Sequence, residues 1–178
     1  MIRNIFALLV SFVLLAGVSY QSRAGGWYVG GGTQSVSFED DLQFIDNGIG
    51  FIFSGGYDFN KNFGIDLMTG GSFHDESLSN GYAVQSFVLV GGKASLGSDA
   101  FNPYLVAGVS LHNVDFEFFE DISGSGVYFG VGADIFISKQ SAINISFRTS
   151  DWDGDDSVFD YDVTTDFVSV AYNFYFSR

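Results

Sequence analysis

Along eight stretches of this chain, apolar residues recur at every second position, the period with which side chains alternate on a β-strand. These stretches cover approximately 27–38, 48–59, 63–73, 82–96, 104–118, 125–137, 142–150 and 163–176. The two faces are clearest in the second half. Leu105, Ala107, Val109 and Leu111 oppose Gly108, Ser110 and His112, while Ile143, Ile145 and Phe147 oppose Asn144, Ser146 and Arg148. In the last stretch, Val168, Val170, Tyr172, Phe174 and Phe176 oppose Ser169, Ala171 and Asn173. The first stretch is weakly marked, because Gly30, Gly31 and Gly32 give neither face a character. Past His112 the apolar face switches, with Asp115 and Glu117 in line with Val109 and Leu111. Either a bulge resets the register there or the strand has already left an apolar environment; the second is expected.

Most stretches reach the ~9–11 residues that a tilted strand needs to cross hydrocarbon. The connections alternate in length: 60–62, 97–102 and 138–141 are short, whereas 39–47, 74–81, 119–124 and 151–162 are longer. Short turns at one end and long loops at the other is the pattern of outer-membrane barrels, with the short turns periplasmic. The pattern therefore predicts an all-β fold, an eight-stranded antiparallel up-and-down transmembrane β-barrel, apolar outside and small or polar inside. Two aromatic girdles are expected at the membrane–water interfaces. Trp27, Tyr28, Tyr57, Phe59, Phe63, Phe101, Tyr104, Phe136 and the run 174–176 would form the periplasmic one. Phe38, Phe73, Tyr82, Phe116 and Trp152 would form the outer one.

The segment 1–24 reads as a signal peptide, leaving 25–178 as the barrel. Arg3 supplies a positive start, 5–18 is an apolar core, and Ser22-Arg23-Ala24 offers small residues around a cleavage point. Losing Arg3 and Arg23 would take the formal charge from −14 to −16. Lys61, Lys93, Lys139, Arg148 and Arg178 then remain, scattered, so nucleic acid is not an expected partner. The chain has no Cys, which excludes disulfides, thiolate metal sites and an acylated-Cys anchor. Aromatics at 18% and 23 Gly against one Pro suit many strands and tight turns rather than a helical bundle.

The stretch Gly26-Trp27-Tyr28-Val29-Gly30-Gly31-Gly32 resembles the opening of the small outer-membrane β-barrel superfamily, which includes OmpA/OmpX-like and opacity-protein-like members. The last strand resembles the assembly signal of that class, with Ser169 as its polar residue and Phe174 and Phe176 as its aromatics. Ala171 stands where the signal usually has Gly, and Ser177-Arg178 follow an aromatic that is usually terminal. The resemblance implies residence in the bacterial outer membrane among its lipids and lipopolysaccharide, and insertion by the outer-membrane assembly machinery. It implies no single activity, because such barrels serve structure, adhesion, small-solute passage and lipid chemistry.

Candidate chemistry is sparse. Parity turns Asp66, Gln85, Lys93, Asp134 and Arg148 inward; Asp66, Lys93, Asp134 and Arg148 are expected to form a paired charge network filling the lumen. The alternative is an ion path lined by the same charges. Acids concentrate towards the longer loops: Glu39, Asp40, Asp41 and Asp46; then Asp75 and Glu76; then Glu117, Glu120 and Asp121; then six Asp between 151 and 162. Solvated charge is the plain explanation. A divalent cation held by Asp151, Asp153, Asp155 and Asp156 is the sharper one, although the spacing is not that of an EF-hand. No other cofactor is expected. Lipid chemistry would need a nucleophile with a base. Ser110 and His112, or Ser72 and His74, are the available pairs, but Ser110-Leu111-His112-Asn113 runs opposite to the His-x-Ser-Asn order of lipid A deacylases. A non-enzymatic barrel is thus expected, structural or interacting with an extracellular ligand through acidic loops. A narrow channel is the alternative and a lipid-modifying enzyme the third reading.

Overall fold

A computed structural model describes residues 26–40, 42, 45–75, 81–96, 100–117, 120–155 and 160–176. The segment 1–24, read from the sequence as a signal peptide, lies outside them. The described residues form eight strands: β1 (Gly26–Asp40), β2 (Gly48–Asp58), β3 (Phe63–Asp75), β4 (Tyr82–Ser95), β5 (Phe101–Phe116), β6 (Ile122–Phe136), β7 (Ser141–Asp155) and β8 (Asp160–Tyr175). Each pairs antiparallel with its sequence neighbour, and β8 returns to β1 to close the barrel. An all-antiparallel up-and-down order needs only hairpins and leaves no sheet edge exposed.

The register sets the tilt. Following paired residues from Val114 through Gln85, Ser72, Gly50 and Gln34, then Ser169, Ser146 and Gly132, returns to Tyr104 on the starting strand. The offset along β5 is ten residues, from 114 to 104. With eight strands, that stagger corresponds to a tilt of about 40° and about 2.5 Å of axial rise per residue. Gly32 permits the closing seam: a Cβ there would lie 2.0 Å from the Val170 carbonyl oxygen of β8. Only a residue without a side chain lets the two backbones approach so closely.

Outward residues are those expected of a lipid-facing surface. Ile49, Phe53, Val109, Val127, Phe129 and Val170 are about half or more exposed. An apolar exterior of this extent would be an aggregation hazard in water and is the requirement of a bilayer.

Several expectations need correction. β7 and β8 run much further than predicted, to Asp155 and from Asp160, so most of the 151–162 connection is strand. The alternation Asp-Trp-Asp-Gly-Asp is itself period-two, and Trp152 and Gly154 are buried while Asp151, Asp153 and Asp155 are exposed. On β5 the register is as expected rather than corrected: no bulge interrupts the pairing with β4, which is continuous to Phe116–Ala83, and Asp115 faces out near the strand's end. The girdles are thinner than predicted. Tyr28, Tyr104 and Tyr175 are buried in the lumen, Phe136 packs against Tyr28 and Tyr175, and Phe38 and Trp152 are buried at the other end. A phenol or indole turns inward where its polar tip finds a partner: Tyr28 and Tyr175 reach Asp66 and Asp134, and Trp152 reaches Thr165.

Candidate functional site

The lumen is stacked in layers rather than uniformly polar. At the periplasmic end, with the short turns, lies the charged layer. Arg148 donates to Asp66 Oδ2 at 2.7 Å, and the Tyr28 hydroxyl donates to Asp66 Oδ1 at 2.6 Å. Lys93 Nζ lies 3.3 Å from Asp134 Oδ2 and 3.6 Å from Asp58 Oδ1. Tyr175 and Asn144 also donate to Asp134, at 3.0 and 2.8 Å. The Lys93 ammonium sits over the rings of Tyr28 and Tyr104, 4.7 and 5.0 Å from their centroids. Asp66, Lys93, Asp134 and Arg148 are all at least 97% buried. Such burial is tolerable because each charge meets an opposite charge and further donors.

Next comes an apolar layer that sequence reasoning missed. Ile52, Met68, Phe87, Leu89, Val106 and Phe167 meet across the lumen in one cluster. Phe87 and Phe167 meet in a tilted contact, with ring centroids 4.8 Å apart. Beyond it, a polar chain joins both histidines. The Ser72 hydroxyl lies 2.7 Å from His74 Nε2 and 3.3 Å from Gln85 Oε1. His74 Nδ1 donates to the Asp46 carbonyl at 2.9 Å. Gln85 Nε2 donates to His112 Nδ1 at 3.2 Å, His112 Nε2 meets Ser150 Oγ at 2.9 Å, and Ser150 donates to Ser110 at 2.8 Å. The His112 ring stacks on Trp152 at 4.7 Å. A second apolar cluster caps this end: Phe38, Leu42, Ile45, Val114, Ile122 and Val163.

Both ring nitrogens of His112 are engaged inside the lumen, Nδ1 with Gln85 and Nε2 with Ser150. Ser150 itself is fully buried beneath the cap. Of the serine–histidine pairs read from the sequence, Ser72 does meet His74, whereas His112 meets Ser150 rather than Ser110 directly.

The family called Outer membrane protein beta-barrel domain matches residues 5–174. The chain belongs to this family. Its home is the bacterial outer membrane. Among solved structures, the outer-membrane barrel protein is similar to OprG from Pseudomonas aeruginosa, with 14% identity, a TM-score of 0.65, and 88% of this chain and 98% of that one covered. It is similar to Neisserial surface protein A, with 12% identity, a TM-score of 0.66 and 83% and 96% covered. It is also similar to Ail, the attachment invasion locus protein of Yersinia pestis, with 19% identity, a TM-score of 0.59 and 85% and 99% covered. At these identities the likeness is one of fold. No curated protein matches the chain.

In this outer-membrane barrel, Asp151, Asp153 and Asp155 point outward from β7 at alternate positions, about 7 Å apart. Asp156 lies outside the described residues. No group of three or more potential ligands that could hold a metal ion occurs among the described residues. Ser169 faces the lumen, where its hydroxyl lies 2.7 Å from that of Ser146. Phe174 and Phe176 face out, in edge contact at 5.5 Å.

Proposed function

We propose that this is a barrel with a closed lumen, acting as a structural or surface-interaction protein through its acidic extracellular end. The observation behind this reading is the pair of apolar layers in the lumen. An ion crossing either would shed most of its hydration against a largely apolar lining, which makes both layers barriers. The charged layer beneath them then serves as packing rather than as an ion path. What remains available for specific contact is the outer end, where Glu39, Asp115, Asp121, Asp153 and Asp162 are exposed. Ail, by its name an attachment protein, shows that this fold can host such a role. Outer-membrane lipids and lipopolysaccharide would be the lateral neighbours, and the β8 residues Ser169, Phe174 and Phe176 would address the chain to the assembly machinery. Planar-bilayer recording tests the closed lumen. The wild-type chain and Lys93→Met should both be silent, and stepwise conductance in the wild type would overturn the reading in favour of a narrow channel. Adhesion assays comparing the wild type with a variant whose β7–β8 tip is exchanged for a neutral hairpin test the surface role.

A further inference from the structure

The apolar belt on the outside of the barrel is a wedge. Its periplasmic edge is level to within about 5 Å around the barrel, as marked by Trp27, Tyr57, Phe101 and Phe174. Its outer edge is not. On β3 and β4, outward apolar residues continue to Phe73 and Val84, with Tyr82 above them; the only polar interruptions are Ser86 and Thr69, and the Thr69 hydroxyl is satisfied by the Phe87 carbonyl at 2.8 Å. On the opposite wall, β8 turns from Val168 to Asp166, β7 from Phe147 to Thr149 and Asp151, and β1 carries Thr33, Ser35 and Ser37 outward. The drop between the two walls is about 10 Å or more. On β8 the belt from Phe176 to Val168 is only about 20 Å tall, against the ~25 Å band usual for these barrels.

The register makes the contrast direct. Ser35 and Thr149 stand within about 2 Å of the axial height of Phe51 and Val88. Two of these four positions are polar and two are apolar, at the depth of the outer leaflet. Acyl chains against Thr149, Asp166 and Asp151 would leave hydroxyls and carboxylates without water. We infer that the hydrated headgroup layer of the outer leaflet dips against β7, β8 and β1, so that the membrane is locally thinned on this side of the barrel. Water and headgroup hydroxyls then solvate Ser35, Thr149 and Asp166, while acyl chains reach full height along β2 to β4. The inference uses only the outer-membrane location and the exterior of the barrel, so it stands or falls apart from the closed-lumen reading.

The absence of Cys allows single spin labels at chosen sites. Thr149→Cys, Ser35→Cys, Val88→Cys and Phe51→Cys would each be labelled in full-length mature barrels, one per phosphatidylcholine nanodisc. Collision with a water-soluble nickel chelate and with oxygen then reports depth. Labels at 149 and 35 should collide with the chelate several-fold more than those at 88 and 51. Equal, oxygen-dominated collision at all four sites would overturn the inference. Shielding of 149 and 35 from both reagents would also overturn it, since a protein neighbour would then cover the shelf. Labels in Ala94→Cys and Phe174→Cys, near the periplasmic edge on opposite walls, should report equal depth. Unequal depth there would mean that the whole barrel tilts, which replaces thinning. Finally, Thr149→Val with Asp166→Val should shift the Ser35→Cys label towards oxygen.

Discussion

Replacing Arg148 by Met should be the most costly single change in the lumen. The guanidinium lies 2.7 Å from Asp66 Oδ2, with both side chains at most 5% exposed, so removing it strands a buried carboxylate. Asp66 keeps the Tyr28 hydroxyl at 2.6 Å, but its nearest full opposite charge is gone. Lys93 is engaged with Asp134 and Asp58 and cannot move to Asp66 without abandoning them. Breaking a buried pair from one side costs roughly 3–5 kcal/mol. Met retains most of the aliphatic stem, so lost packing over Tyr128 adds little. The double change Arg148→Met with Asp66→Asn should recover more than half of the loss, because no charge is then left alone and the Tyr28 hydroxyl can face the new amide. Urea unfolding of the barrel in lipid vesicles, followed by the gel shift between folded and unfolded forms, gives both values. A single-variant cost below about 1 kcal/mol, or a double variant no better than the single, would refute the pairing argument.

Other outcomes can be checked by the same unfolding assay. Gln34 is 2% exposed with neither amide atom hydrogen-bonded, so Gln34→Leu should leave stability unchanged or raise it by about 1 kcal/mol. Gly32→Ala forces a methyl into the Val170 carbonyl at the seam and should cost about 2 kcal/mol or more, with slower closure on refolding into vesicles. Phe87→Ala with Phe167→Ala removes the two rings in contact in the middle apolar layer; it should destabilise the barrel by several kcal/mol and give the first measurable bilayer conductance. A calcium titration should leave Trp152 fluorescence unchanged, since the indole points inward onto His112 and away from the outward acids.

The barrel was legible because period two survives over long stretches and because short and long connections alternate. The charged layer was legible for the same reason: Asp66, Lys93, Asp134 and Arg148 each interrupt an apolar alternation, and parity alone turns them inward. The apolar layer was hidden by its own chemistry. In Phe87-Val88-Leu89-Val90 both faces are apolar, so nothing in the run distinguishes the lumen side from the lipid side. At the outer end, acids at alternate positions read as a loop because charge is the usual mark of one. Trp152 and Gly154, buried between Asp151, Asp153 and Asp155, carried the strand signal. Ser150 escaped notice as the partner of His112 because 38 residues separate them and only the register between β5, β6 and β7 brings them together.

The chain of hydrogen bonds from His74 to Ser110 is buried between two apolar layers. Its exchangeable protons are therefore sealed in, and they can trade with solvent only when the extracellular cap opens. The ring N–H of His112 becomes a clock for that breathing. Its exchange lifetime measures how often Phe38, Ile122 and Val163 part company, independently of whether the barrel as a whole ever unfolds.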